Sequence, residues 1–405
     1  SETGKLVGIM TVYVDDCVLC MESPALCEEW LEKLNKMHPL TRIKCEPQPC
    51  GGSKFDLCGA DVIINSEARS FRMVMPDYID KVLKRFNMQD CKPRTHPSFP
   101  EEHLYNKESS SSNFAFKALV GCLQWICTTC RPDLCHITNQ LARASANKVT
   151  NAMANCGRLV LRYLAGTKNL GISYSPSEER EFIEVNKTMM SHPDNSKCDP
   201  KQLETPLQVY SDASFGVAYA TMRSISGVVC YLKGCPISWK SSPQTIFCGS
   251  TCDSEYVALA EAVVMEESIW GLADFLCGND GSLARGTHHC DNRSALINAR
   301  RSDDVAAIPR KTRHVALRFC KALTAAQRLW CMRTDLMKAD GLTKSNNPTA
   351  LRHIFVSNPR PVVVPDDEDN SENDLVSCFA EQFEGEAHHS FFMECKQPAF
   401  FSIIK

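Results

Sequence analysis

From residue 207 to 344 the apolar period changes in a set order. β-prone runs occupy 207-213, 225-233 and 235-249, a long helical pattern follows at about 253-277, and then come a run at 285-290, helices at 292-300 and 310-326, a run at 328-333 and a short helix at 337-344. Three consecutive strands followed by alternating helix and strand outline a mixed sheet with helices packed on it. No other part of the chain is so constrained.

Upstream, Leu6 to Val14 and Cys17 to Met21 read as a hairpin with Asp15 and Asp16 at its tip. Ser23 to Met37 has a helical stripe of Leu26, Trp30, Leu31 and Leu34. Phe55 to Ile64 and Ser70 to Met75 look like a strand pair, and helices are expected at Asp77 to Phe86, Ala115 to Thr128, Cys135 to Ala146 and Asn151 to Leu164. From Ser175 to Pro206 the chain is polar, with Pro176, Pro193, Pro200 and Pro206, and is expected to be a linker. After Lys344 regular structure is expected to stop, with Pro365 to Asp374 acidic and disordered. The apolar end, Phe391 to Ile404, reads as a docking peptide or as readthrough sequence. A chain of 405 residues has room for two or three domains. The fold class expected is an α/β and α+β multidomain protein.

The net charge of -3 hides an asymmetry, because Asn346 to Lys405 holds four basic residues against ten acids. The body is therefore mildly basic, which suits a polyanion partner. The 23 cysteines form no repeating framework, which fits reduced thiols in a cytosolic or nuclear compartment. No apolar run approaches a membrane span, so no membrane partner is expected. The chain begins Ser-Glu-Thr-Gly and runs straight into a strand pattern, as a piece of a longer product would.

Four acids sit at strand ends or helix starts. Asp212 ends the run Val209-Tyr210-Ser211-Asp212, Glu255 lies in the first turn of the long helix, Asp291 follows the fourth strand, and Asp340 opens the last short helix. Each could be no more than a cap or turn acid. As an ordered set they can converge on two divalent metals, and cleaving a phosphodiester near neutral pH is work that two magnesium ions about 4 Å apart perform. Magnesium takes hard oxygen ligands and keeps several waters, so three or four carboxylates suffice. Manganese is a substitute.

The order strand-Asp, helix-Glu, strand-Asp, helix-Asp resembles a ribonuclease H domain, in the wording of copia-type retrotransposons. The phrases are Tyr210-Ser211-Asp212-Ala213, Ser224-Ile225-Ser226-Gly227, Pro236-Ile237-Ser238-Trp239, Ser254-Glu255-Tyr256-Val257-Ala258-Leu259, Cys290-Asp291-Asn292 and Ala339-Asp340-Gly341-Leu342-Thr343-Lys344. The front is similar to the reverse transcriptase of the same elements: Tyr13-Val14-Asp15-Asp16, Phe55-Asp56-Leu57-Cys58-Gly59, Tyr78 to Pro93, Leu119-Val120-Gly121, Arg131-Pro132-Asp133 and Leu161 to Thr167. The resemblance covers roughly residues 1 to 345. It implies a palm end at 1-100, a helical thumb or connection at 101-175, a linker at 176-206, a ribonuclease H-like five-stranded mixed sheet at 207-345 and an acidic tail at 346-405. It further implies magnesium-dependent cleavage of RNA in RNA/DNA hybrids, with Asp212 and Asp291 bridging or anchoring the metals, Glu255 on the leaving-group side and Asp340 completing the other site. Template-primer nucleic acid and other segments of a Pol polyprotein are the further partners implied. The family's polymerase site needs a third palm aspartate upstream. Asp15 and Asp16 are therefore expected to be a remnant, without DNA synthesis by this chain alone.

His314, in Lys311-Thr312-Arg313-His314-Val315, is either a proton shuttle or nucleic-acid contact, or a helix-surface residue. Arg310, Lys311 and Arg313 read as phosphate contacts or as an ordinary solvated face. The pairs Cys17/Cys20 and Cys127/Cys130 have zinc-like spacing, but the first should straddle a strand and the second ends a helix. Trp125, Trp239, Trp270 and Trp330 read as core. Two rival readings stand beside the nuclease: a degenerate, non-catalytic remnant that at most binds nucleic acid, and an excerpt of an active RNA-directed DNA polymerase.

Overall fold

The computed structural model describes residues 7–13, 16–49, 51–277, 281, 283–300, 316–356 and 400–404. Asp15, Arg310, Lys311, Arg313 and His314 lie outside these residues, so the expectations attached to them carry no structural account.

At the front, β1 (Gly8–Tyr13) and β2 (Asp16–Met21) pair antiparallel, with Tyr13 opposite Asp16. Helix α1 (Pro24–Met37) starts where Ser23 Oγ accepts the Leu26 N–H at 3.3 Å and Pro24 presets the first turn. Its Cys27, Leu26 and Leu31 cover Leu19 and Met21, whereas Trp30, expected on the same stripe, is exposed beneath Lys33.

The second sheet is a meander of β3 (Glu46–Pro47), β4 (Ser53–Leu57), β5 (Ala60–Asn65) and β6 (Ser70–Val74), closed by β7 (Ile172–Tyr174). The run expected as one strand over Phe55 to Ile64 is thus two strands. Cys58 and Gly59 both take positive φ, 52° and 83°, and this two-residue turn sets Leu57 against Ala60. Helices α2 (Pro76–Arg85), α3 (Phe116–Thr129), α4 (Cys135–Ala144) and α5 (Asn151–Gly166) follow the expected periods closely. At their centre Arg131, wholly buried, makes two bonds to Asp133 at 2.9 and 2.7 Å and two to Thr167, and Tyr163 Oη donates to Asp133 at 2.7 Å.

The segment read as a linker is not irregular. Ser175 caps α6 (Pro176–Lys187), Phe182 packs on Tyr210 and Tyr231, and 3-10 turns carry the chain to the buried Leu203. The prolines misled because Pro176, Pro193 and Pro200 each open a helical turn, where the missing N–H costs nothing.

The third sheet has the order β10-β9-β8-β11-β12. Its strands are β8 (Leu207–Ser214), β9 (Ile225–Leu232), β10 (Cys235–Pro243), β11 (Thr287–Cys290) and β12 (Leu329–Cys331). The first three are antiparallel, while β11 runs parallel to both β8 and β12, so the sheet is mixed as expected. Helices α7 (Thr251–Cys277), α8 (Arg293–Arg300) and α9 (Ala316–Leu323) accompany it. Tyr256 and Leu259 of α7 pack with Cys290, Leu296 and Ala322, and Ala262 packs on Val209 and Val228.

Regular structure also continues past Lys344, against expectation. Helix α10 (Pro348–His353) buries Leu351, and Ile354 follows it into the core. The buried Lys338 ammonium donates to the carbonyls of His353 and Val356 at 3.2 Å each, satisfying acceptors that a helix end leaves open. Within Phe391 to Ile404, β13 (Phe400–Ile404) pairs antiparallel with β2. One apolar cluster runs from Ile79, Leu123 and Leu161 through Tyr231 and Trp330 to Ile354, across every domain boundary expected between them. No described helix is long and apolar enough to cross a membrane.

Candidate metal centre

Asp212 is the sixth residue of β8, and its register partner on β9 is Gly227. A side chain at Gly227 would stand 2.8 Å from Thr343 Cγ2 and 2.9 Å from Ala339 O, so its absence lets the 3-10 turn Lys338–Leu342 lie against the sheet. That turn carries Asp340. Asp291 directly follows β11, where Asn292 caps α8 by accepting the Ala295 N–H at 3.0 Å and Met332 N–H bonds to Cys290 O at 2.9 Å. Glu255 lies near the start of α7, which Gln244 ties to β9 through Ser254 O at 2.8 Å and Ser226 Oγ at 3.0 Å.

The four acids converge. One oxygen each from Asp212, Asp291 and Asp340 lie within 4.8 Å of one another, and Glu255, Asp291 and the Cys290 thiol form a second such group. Asp291 is common to both. Asp212, Glu255 and Asp340 are buried and Asp291 is half-buried. Asp16, at the start of β2, meets the Cys58 thiol at 3.6 Å and belongs to no such group among the described residues.

Crowding carboxylates away from water disfavours their charged forms. Burial, then Asp212 and Asp291, push Glu255 well above the usual carboxylate range, although the Ala213 N–H works the other way. Burial and Asp212 also raise Asp291, which Thr334 partly offsets by hydrogen bonding. Asp340 is raised to about 6 by burial and Asp212, against the pull of Lys344. Burial opposes charge on Lys344, yet Asp212 and Asp340 hold its ammonium above the usual range. The Lys344 Nζ lies 2.9 Å from Asp340 Oδ1 and 4.0 Å from Asp212 Oδ2. Thr343 Oγ1 donates to Asp212 Oδ2.

The donor set fits a hard divalent cation: carboxylate oxygens converge, burial and then mutual repulsion raise three of the groups, and a lysine ammonium already sits where positive charge is needed. The Cys290 thiol, pushed up by burial and then by Glu255, is a soft neutral neighbour 4.0 Å from Glu255 Oε2 rather than a ligand for such an ion. Lys344, Thr343 and Thr334 were given no role from the sequence. For Lys344 the signal was present, since it stands four residues after Asp340. Thr334 had none.

Trp330 is buried, Trp239 Nε1 donates to Cys127 O at 2.8 Å and Trp270 Nε1 to Leu283 O at 3.1 Å. His288 and His289 are buried beside Glu266 (3.1 Å) and Gln208 (2.6 Å). The described cysteines are free thiols, and neither the Cys17/Cys20 nor the Cys127/Cys130 pair joins a metal-ligating group among the described residues.

No protein family model matches the chain. It is similar to the Retrovirus-related Pol polyprotein from transposon RE1 of Arabidopsis thaliana, 25% identical over 372 residues, which are 87% of this chain and 22% of that protein. It is also similar to the Retrovirus-related Pol polyprotein from transposon TNT 1-94 of Nicotiana tabacum, 24% identical over 319 residues, 77% of this chain and 21% of that protein. An uncharacterized mitochondrial protein of Arabidopsis thaliana is 28% identical over 269 residues, 65% of this chain and 94% of its own length. The chain thus spans about a fifth of the two polyproteins.

Proposed function

We propose, from the premise that the homologues of this chain are retrovirus-related Pol polyproteins of copia-type transposons, that its third sheet is a ribonuclease H-like domain. Its reaction is hydrolysis of the RNA strand of RNA/DNA hybrids. The observation that carries this reading is the convergence of Asp212, Asp291 and Asp340 within 4.8 Å, with Glu255 grouped on the other side of Asp291.

In this reading Asp212, Asp291 and Asp340 would hold one divalent ion, and Glu255 with Asp291, which belongs to both groups, would hold a second. Two magnesium ions, when bound, supply an activated water, a clamp on the phosphate and stabilisation of the leaving oxygen. Thr343 orients Asp212 through its hydroxyl, and the Lys344 ammonium, 2.9 Å from Asp340 Oδ1, neutralises part of the cluster's charge. Asp340, raised to about 6, is ionised at neutral pH and protonated in mild acid. The same premise carries residues 1-175 to the palm end and thumb of a reverse transcriptase, with Asp15 and Asp16 the remnant of the polymerase site, Arg310, Lys311 and Arg313 as nucleic-acid contacts and His314 as an accessory group.

One observation favours the rival remnant that binds without cutting: a lysine supplies the countercharge in the cluster. A labelled RNA/DNA hybrid separates the two readings. Magnesium- or manganese-dependent cutting that vanishes in Asp212→Asn supports the nuclease, whereas wild-type protein that binds hybrid and leaves it intact sinks it.

A further inference from the structure

We propose that His192, Asp194 and Cys331 form a zinc site distinct from the carboxylate cluster. One donor atom from each lies within 4.8 Å of the other two. Cys331 Sγ is 3.7 Å from His192 Nε2, and Asp194 Oδ2 is 3.8 Å from His192 Nδ1. Zinc takes one imidazole nitrogen and, at bonds of about 2.0–2.3 Å, sets its donors roughly 3.4–3.8 Å apart, so closing on an ion requires the ring to turn, giving up the Asp194 N–H that Nδ1 accepts at 3.3 Å, until one nitrogen faces both Cys331 and Asp194. The chemistry separates this site from the first. Thiolate, imidazole and carboxylate together are a zinc set, while magnesium takes oxygen alone. Three protein donors leave the fourth position to water.

The donors come from distant parts of the sequence but are held by one clamp. Asn195, buried in the 3-10 turn Pro193–Asn195, donates from Nδ2 to Met189 O and to Cys331 O at 2.9 Å each, and its Oδ1 accepts the Cys331 N–H at 2.8 Å. The turn bearing His192 and Asp194 is therefore fixed against β12 before any ion arrives, which lowers the ordering cost of binding. Arg293 steadies the Asp194 carboxylate at 2.8 Å and 3.3 Å, and a carboxylate oxygen that accepts one hydrogen bond retains a lone pair. The His192 and Asp194 side chains are 27% and 14% exposed, so an ion reaches Cys331 through them. Binding releases the Cys331 thiol proton to solvent and leaves thiolate on the metal. The ion would pin the turn to β12, the strand beside the one that leads into Asp291.

The test is cobalt titration of the full chain, stripped of metal and kept reduced, followed by near-ultraviolet absorption from thiolate to cobalt. The expected result is one equivalent of thiolate-bound Co2+, displaced by Zn2+, lost in Cys331→Ser and weakened more than about tenfold in His192→Gln and Asp194→Asn. The absorption should survive in Cys290→Ala, the thiol beside the carboxylates. Circular dichroism establishes that each variant is folded, and the two partly exposed positions decide the matter if Cys331→Ser is not. Absence of thiolate absorption in the wild type, its persistence in Cys331→Ser, or its loss in Cys290→Ala alone would overturn the proposal.

Discussion

Lys344 Nζ stands 2.9 Å from Asp340 Oδ1, one turn along the same segment, and is the ammonium closest to the buried carboxylates among the pairs described. It is the cation of the cluster when no metal is bound. Replacing it with methionine should lower stability in chelator by about 1 kcal/mol, the range of a partly exposed pair, and should steepen the stabilisation by magnesium. Thermal melts with and without magnesium measure both effects. Equal magnesium response in wild type and variant would remove Lys344 from the site.

After burial, the charge of Asp212 does most to raise Asp291, Glu255 and Asp340. Asp212→Asn should therefore stabilise the metal-free fold at pH 8 while, on the proposed function, reducing hybrid cleavage by at least about 100-fold, as loss of a metal ligand would. A variant that cuts normally is incompatible with the proposed site.

The raised carboxyls give stability a definite pH dependence. Their folded-state values lie above those of the unfolded chain, so the folded state keeps protons the unfolded state would release. Their contribution is full below the ordinary carboxylate range and is lost as pH rises through the raised values, for Asp340 through about 6. The melting temperature without metal should fall between pH 5 and pH 7.5, and magnesium should recover it at the upper end only. A magnesium effect of equal size at pH 5 would contradict this.

Gly227 is the only residue type that lets the Asp340 turn approach β9 so closely, since a Cβ there would stand 2.9 Å from both Ala339 O and Leu342 Cβ. Gly227→Ala should displace the turn and cut cleavage about 10- to 100-fold, as a misplacement near 1 Å can. Single-turnover kinetics on a hybrid, with hybrid affinity measured in parallel, tests this, since affinity should change little.

Away from the site, Arg131 and Asp133 form an ion pair with no exposed side-chain surface. Arg131→Ala leaves Asp133 buried and uncompensated and should destabilise the helical region by about 3–5 kcal/mol. Tyr163→Phe, which removes one bond to Asp133, should cost about 1–3 kcal/mol. Urea titration ranks the two, and an Arg131 variant milder than the tyrosine variant would refute the accounting.

How much was legible follows from what local spacing encodes. The period and order of residues 207-344 announced a mixed sheet, and strand ends and helix starts placed Asp212, Glu255, Asp291 and Asp340 as acids able to converge, because periodicity and capping are properties of neighbours in the chain. The prolines of 176-206 were ambiguous, since a proline looks the same at a helix start as in a linker. The tertiary structure alone decided that Asp291 is the shared acid, that Gly227 admits the Asp340 turn, that β7 joins β6, and that Asn195 carries His192 and Asp194 to Cys331, 136 residues away. Each of these is a contact between segments whose own periodicity is indifferent to it. Packing brings them together, and no spacing along the chain records which atoms then meet.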